Sequence, residues 1–287
     1  LTTLHGSAAE GDSRLIYRHY RKQPFVSITD AERAVLPELR YVATVYNGVD
    51  PAQFPFDAAP GEYLLVLGRM SPDKGIHLAI EVAQRTSLPL ILAGIVPPEN
   101  EAYFAERVAP YLGQAIRFVG PVDLAQKAAL YAGARAFLHP ITYDEAFGLT
   151  MVEAMACGCP VLTARNSSLT EVAGDAAILA DGEDVQGLAQ GLIRLAGDAG
   201  CRRDLSARGR EQSRQFTWTR TASETLAVYD AALRPGAIQG RSRSMSIASA
   251  SLVAYKLRRR YDRSRGQAAE DDFNARPTQP VASVGAA

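Results

Sequence analysis

The stretch Tyr63-Leu64-Leu65-Val66-Leu67-Gly68-Arg69-Met70-Ser71-Pro72-Asp73-Lys74-Gly75 decides the fold of this chain. Its first five residues are all apolar or aromatic, which reads as a strand buried on both faces rather than one with a solvated side. Gly68 ends the strand, and Gly75 opens a helix over 75–86 that sets Ile76, Ala79, Ile80 and Ala83 on one face. The same alternation continues outward from there. Strands are expected at 89–93, 116–119, 136–138, 160–163 and 176–179, with helices over 99–111, 124–132 and 149–157 between them. Continuous apolar strands separated by helices imply an α/β, doubly wound parallel sheet covered on both faces. Ligands of such sheets bind beyond the carboxyl ends of the strands.

Before this unit the pattern changes. Residues 1–50 offer short strands at 1–4, 25–28 and 42–46 with little helix between them, too few residues for a separate core of useful size. They read as the trailing edge of an earlier domain, followed by a linker over 51–61. The main domain spans 62–215 and ends with helices over 185–196 and 202–214. A further helix over 219–233, within residues 216–234, follows Phe216-Thr217-Trp218. Residues 235–287 are rich in Ser, Arg and Gly, then basic over 256–265, then acidic and Pro-rich, and read as a disordered tail. Its basic stretch has the composition to lean on anionic lipid at about 1 kcal/mol per basic residue, although solvation is the simpler expectation.

Composition narrows the classes. Lys plus Arg and Asp plus Glu stand at 31 each, so no net charge calls for nucleic acid as a partner. The three cysteines, two of them in Cys157-Gly158-Cys159, have neither a disulfide nor a metal-ligand spacing and read as small buried thiols in a reducing compartment. No apolar run approaches the ~18 residues that cross a bilayer. The expectation is a cytoplasmic protein whose only membrane relation would be peripheral, through the basic tail.

Two stretches carry candidate chemistry. In 68–75, Arg69 and Lys74 with Gly68 and Gly75 on a strand-to-helix loop suit a diphosphate: Arg69 can fork onto two oxygens while Lys74 adds a point charge. GxGxxG is absent there and GxxxxGK[ST] is absent throughout, which counts against a dehydrogenase and a P-loop hydrolase. In 144–160, Glu145 sits on a loop and Glu153 inside the helix that follows. Between them Phe147-Gly148-Leu149 should expose backbone N–H groups at the helix start. The helix dipole alone favours an acid at Glu153 by roughly 0.3–1 kcal/mol, so each glutamate taken singly is unremarked. Together, at a strand end and downstream of the Arg/Lys loop, they match what sugar and ribose hydroxyls require.

With those residues in hand the chain resembles the C-terminal half of a family 4 glycosyltransferase of the GT-B fold. The resemblance rests on Gly68-Arg69-x-Ser71-Pro72-Asp73-Lys74-Gly75, on Glu145 and Glu153 with seven residues between, and on Glu153-Ala154-Met155-Ala156-Cys157-Gly158-x-Pro160-Val161. Val45 to Asp50 resembles the segment leading to the interdomain linker, and Glu171-Val172 the family's later donor-side loop. The resemblance implies a hexosyltransferase that acts with retention on a nucleotide-diphosphate sugar, UDP or GDP, and an unidentified saccharide or small-molecule acceptor. It implies no cofactor and no dedicated metal, and no Asp-x-Asp motif occurs. Arg69 and Lys74 would neutralise the diphosphate. Glu145 would hold sugar hydroxyls with the N–H groups of Phe147, Gly148 and Leu149, and Glu153 would hold the ribose. Thr3-Leu4-His5-Gly6 resembles the loop whose histidine faces the donor sugar, which assigns His5. The resemblance further implies that most of an acceptor-side domain is missing before Leu1. The chain is then expected to bind nucleotide yet transfer sugar poorly by itself, with the apolar face of its last helix exposed or driving association. An epimerase or a phosphorylase on the same fold lacks support in these residues. A non-catalytic nucleotide-sugar-binding module, or the product of a decayed gene, stays open as the alternative.

Overall fold

The computed structural model describes residues 1–6, 11–56, 61–181 and 184–234, arranged as two parallel sheets. The expected tail over 235–287, its basic stretch, and residues 57–60 of the expected linker lie outside the described residues.

The smaller sheet has the order β1-β2-β3, from β1 (Thr2–Thr3), β2 (Pro24–Ser27) and β3 (Arg40–Thr44), all parallel. Parallel neighbours need a crossover, and the structure supplies α1 (Gly11–His19) and α2 (Asp30–Val35) where little helix was expected. Both escape a periodicity search. Leu15 and Ile16 of α1 face outward, and α2 is six residues long, held at its start by the Thr29 hydroxyl accepting the Glu32 N–H at 3.1 Å. Leu4, Phe25, Leu36, Leu39 and Tyr41 form a small core under this sheet.

The larger sheet comprises β4 (Tyr63–Leu67), β5 (Leu90–Ala93), β6 (Ile116–Phe118), β7 (Ala134–His139), β8 (Val161–Ala164) and β9 (Ala177–Ala180). Every pairing is parallel, in the order β6-β5-β4-β7-β8-β9. Counted within this sheet the order is 3-2-1-4-5-6, that of dinucleotide-binding folds, with the switch point between β4 and β7. Both faces are covered, as the apolar strands require. Leu64, Val66, Ala136 and Leu138 pack with α3 (Ile76–Thr86) and α8 (Val185–Gly197); Leu65 and Phe137 pack on the other face with α5 (Leu124–Ala132), α6 (Leu149–Ala156) and α7 (Ser167–Ala173).

The helix expected over 99–111 is shortened to α4 (Glu101–Arg107) between 3₁₀ turns, because Pro110 offers no N–H to continue it. Within residues 51–61, Phe54 is buried in the main core, edge-on to Tyr131 at 6.4 Å.

After α9 (Ala199–Ser213), α10 (Trp218–Leu233) returns to the smaller sheet. Thr221 donates its hydroxyl to the Tyr46 carbonyl at 2.7 Å, and Val228 packs on Val26 and Val45. Ala227 beside it is buried as well, while Leu226, Tyr229 and Leu233 of the same helix are exposed. A second tie between the sheets comes from Glu171 on α7. Its carboxylate accepts the N–H groups of Asp30 and Ala31 at 2.9 and 2.8 Å and the Tyr46 hydroxyl at 2.6 Å.

Candidate functional site

The switch point is where the two informative loops meet. The loop after β4 folds through a 3₁₀ turn (Pro72–Lys74) to Gly75, which adopts φ 66° and opens α3. A Cβ there would lie 2.0 Å from the Pro140 carbonyl oxygen, so only glycine lets this loop press against the one after β7. The Thr142 N–H then donates to the Asp73 carbonyl at 3.0 Å and fixes the pairing.

That contact brings Lys74 to Glu145. The Lys74 ammonium donates to Glu145 Oε2 at 3.0 Å and to the Tyr143 hydroxyl at 2.5 Å, and Tyr143 donates to the same Oε2. Burial works to raise the Glu145 carboxyl, but the Lys74 charge and the Tyr143 hydrogen bond bring it down to about 2. Burial, reinforced by Glu145, raises the Tyr143 hydroxyl, which therefore stays a donor. Arg69 is half exposed on the same loop, with Asp73 at 3.5 Å.

Four carbonyls of the β7 loop are already bound. Asn166 donates to those of Ile141 and Tyr143, both at 3.1 Å, Ser168 to that of Glu145, and Thr29 from the smaller sheet to that of Ala146 at 3.0 Å. Gly148 then turns at φ 85° into α6, where a Cβ would meet Leu169 at 2.8 Å. The first N–H groups of α6 have no carbonyl a turn earlier to receive them. The Phe147 side chain is core, with its ring 5.5 Å from that of Phe216, so only its backbone faces the site.

Glu153 lies in the second turn of α6. Lys127 donates to its Oε1 at 2.6 Å, and Tyr131 to its Oε2 at 3.2 Å and to the Thr150 carbonyl at 3.0 Å. Lys127 also lines a cleft of about 370 Å³ bounded by Gly68, Arg69, Gly94, Ile95 and the segment from Pro121 to Leu124. The cleft thus runs from the cationic loop to Lys127 on α5, the lysine that donates to Glu153.

One group beneath the site is wholly buried. Thr163 donates its hydroxyl to the His139 carbonyl, so its oxygen accepts from His139 Nδ1 at 3.1 Å. Nε2 is left to accept from the Thr150 hydroxyl at 3.4 Å. Burial, then the Lys74 charge, pushes the imidazole down to about 3. His139 is therefore neutral at pH 7 and braces the start of α6.

The structure gathers Gly68, Arg69, Lys74, Glu145, Phe147, Gly148 and Leu149 at the carboxyl ends of β4 and β7, with Glu153 one turn further along α6. His5 stands apart, exposed at the carboxyl end of β1, the end of the smaller sheet from which Thr29 reaches Ala146. Sequence reading missed Tyr143, Lys127, Tyr131 and His139. Lys127 and Tyr131 share a face of an expected helix, which was the available signal; nothing local marked the others. Cys157 and Cys159 are buried free thiols pushed up by burial, as expected, and among the described residues no cluster of His, Cys, Asp or Glu is built to hold a metal. Among the described residues no helix is long and apolar enough to cross a membrane.

A parallel sheet in this order, with polar loops converging on its switch point, is the architecture of nucleotide-binding α/β proteins. The family described as glycosyl transferases group 1 matches residues 54–212, over half of the chain, and the chain belongs to that family. It is 35% identical over 173 residues to the O-antigen chain mannosyltransferase B of Escherichia coli, covering 58% of this chain and 45% of the relative. It is 34% identical over 212 residues to a glycogen synthase of Mycobacterium tuberculosis, covering 69% of this chain and 50% of the relative. The chain spans about half the length of the curated relatives it matches. Among solved structures, the sucrose-phosphate synthase of Thermosynechococcus elongatus superposes with TM-score 0.69 at 25% identity, over 78% of this chain and 62% of that one. Anabaena HepE in complex with UDP and glucose gives TM-score 0.69 at 19% identity, over 76% and 66%, a likeness of fold. The fold is of the GT-B type, as the sequence led one to expect.

Proposed function

We propose that this chain carries the donor half of a family 4 glycosyltransferase that transfers a hexose, with retention, from a nucleotide-diphosphate sugar to a saccharide or small-molecule acceptor. The observation that carries the reading is the meeting of Lys74 and Glu145 at the switch point, with the start of α6 between Glu145 and Glu153. Residues 62–215 would bind the donor and residues 1–50 belong to the acceptor side, with His5 at the sugar face. Solved relatives of the fold hold UDP and UDP-glucose, which supports a nucleotide sugar, UDP- or GDP-linked, as the partner.

The chemistry follows from charge. The acceptor hydroxyl attacks the anomeric carbon from the face the diphosphate leaves. The sugar–phosphate bond breaks with its electron pair on the phosphate oxygen, which takes the acceptor's proton. Negative charge grows on the diphosphate, and a cation at ~4 Å contributes on the order of 4 kcal/mol at an effective dielectric near 20, before desolvation. Arg69 and Lys74 supply two such charges where the charge develops. Glu145 and the α6 N–H groups orient sugar hydroxyls, Glu153 the ribose.

Thermal-shift and calorimetric titration of the chain with UDP, GDP, ADP and their sugar conjugates, beside Glu153→Gln, tests this. Binding of one nucleotide, weakened at least roughly tenfold by the loss of charged hydrogen bonds to ribose, is the expected result. A folded chain that binds none of them overturns the reading.

A further inference from the structure

We propose that Tyr143 is a positioning residue of the donor site, holding the Glu145 carboxylate in place for the sugar when a diphosphate draws Lys74 away. The inference rests on the donor-site reading above and adds a residue to it.

The hydrogen bonds fix the roles. Lys74 has only donors, so its 2.5 Å contact occupies a lone pair of the Tyr143 oxygen. The single Tyr143 proton is then left for Glu145 Oε2. Oε2 takes both the Lys74 ammonium and the Tyr143 hydroxyl, while Oε1 takes the N–H of Ala146 at 3.2 Å. The Lys74 ammonium is 4.8 Å from the Tyr143 ring centre, out past the hydroxyl. The hydroxyl is the hinge between cation and carboxylate.

Consider what a diphosphate does to this cluster. Lys74 and Glu145 side chains are each 18% exposed, open enough for a ligand to reach yet dry enough for charges to matter. Phosphate oxygens compete with Glu145 for the same ammonium. As Lys74 turns to them, Glu145 loses its cation and keeps two anchors, the Ala146 N–H and the Tyr143 O–H. Glu145 stands on a loop, where its backbone alone does not set its side chain. Without the Tyr143 hydroxyl, only a main-chain N–H next in sequence would hold the carboxylate. Sugar hydroxyls would then meet a swinging acceptor, and the preference between a bare nucleotide and its sugar conjugate would change.

The test is calorimetry on the whole chain with UDP and GDP and with UDP-glucose and GDP-mannose, comparing wild type with Tyr143→Phe. The readout is the ratio of the two dissociation constants, bare nucleotide against conjugate. Phe keeps the ring and its packing and removes only the hydroxyl. The expected result is bare-nucleotide affinity within about twofold of wild type and a ratio moved at least about tenfold against the conjugate, the size of one hydrogen bond to a charged group. In a Glu145→Ala background the same substitution should leave the ratio unmoved, because nothing remains to be positioned. An unchanged ratio in the single variant overturns the proposal, as does an equal loss for nucleotide and conjugate, which would place Tyr143 with the phosphate. Wild type that binds none of the four ligands overturns the donor-site reading, and the role of Tyr143 with it.

Discussion

Glu145 and Glu153 are held by matching partners on unlike supports. Each carboxylate meets one lysine and one tyrosine hydroxyl: Lys74 and Tyr143 for Glu145, Lys127 and Tyr131 for Glu153. The first set stands on two loops at the switch point, the second on two helices. Tyr131 is fully buried, with its ring 5.4 Å from Phe137 in the main core, whereas Tyr143 is only partly buried. The difference assigns separate duties. Glu153, proposed to hold the ribose, is fixed by the fold itself, so damage around it should cost stability. Glu145, proposed to hold the sugar, is fixed by a few polar contacts that a ligand could rearrange, so damage there should cost selectivity.

The sharpest way to break that contrast is to truncate both tyrosines. Tyr131→Ala should destabilise the chain by about 3–5 kcal/mol, the range for emptying a buried aromatic site. Tyr143→Ala should cost less, about 1–2 kcal/mol, as a partly buried loop residue packed on the edge of that core. Urea unfolding of the two variants measures this, and equal losses would remove the distinction.

Binding separates the two supports next. Lys74→Met should weaken UDP or GDP binding by about tenfold to a hundredfold, the value of a charged hydrogen bond to phosphate. The corresponding nucleoside monophosphate should be largely spared. Glu153→Gln should weaken monophosphate and diphosphate alike, since both carry the ribose. Calorimetry with the two ligands on the two variants gives the pattern, and a monophosphate loss in Lys74→Met would merge the half-sites.

Acid titration probes Glu145 by itself. Its carboxyl lies at about 2 in the fold against an ordinary 4.5, with Lys74 and Tyr143 outweighing burial. A depressed carboxyl adds stability above its unfolded value, and that stability is lost as the pH falls from 4.5 through about 2. Urea melts across this window should show wild type losing on the order of 1–2 kcal/mol relative to Glu145→Gln. Parallel curves would mean that Lys74 does not hold the carboxylate in solution.

The same contrast explains what could be read from the residues alone. Strands such as Tyr63–Leu67 were legible because burial on both faces leaves an unbroken apolar run. Arg69, Lys74, Glu145 and Glu153 could be singled out because each falls on a strand-end loop or in the first turns of a helix, where local position already carries meaning. Tyr143, Lys127 and Tyr131 were not, since their roles arise from contacts that only the folded sheet creates. The helices of the smaller sheet were hidden for the opposite reason: α1 turns Leu15 and Ile16 outward, so no apolar stripe announces it.

A third glutamate completes the comparison, because among the described residues it is held by no lysine. Glu171 falls in a segment that resembles a donor-side loop, yet its two oxygens take the N–H groups at the start of α2 and the Tyr46 hydroxyl. Burial and Glu171 together raise that hydroxyl, so it remains a donor to the carboxylate. An anion at a helix start contributes about 0.3–1 kcal/mol and is sensitive to charge more than to shape. Glu171→Gln keeps the shape, removes the charge and turns an NH₂ group toward one of the two N–H donors. It should lower the melting temperature by roughly 2–4 °C, the shift that about 1 kcal/mol produces in a domain of this size. Nucleotide affinity should stay within about twofold, because the lost contacts join the two sheets and reach Glu145 only through the shared loop. A tenfold loss of nucleotide binding with an unchanged melt would instead return Glu171 to the donor site, where its position in the sequence had pointed.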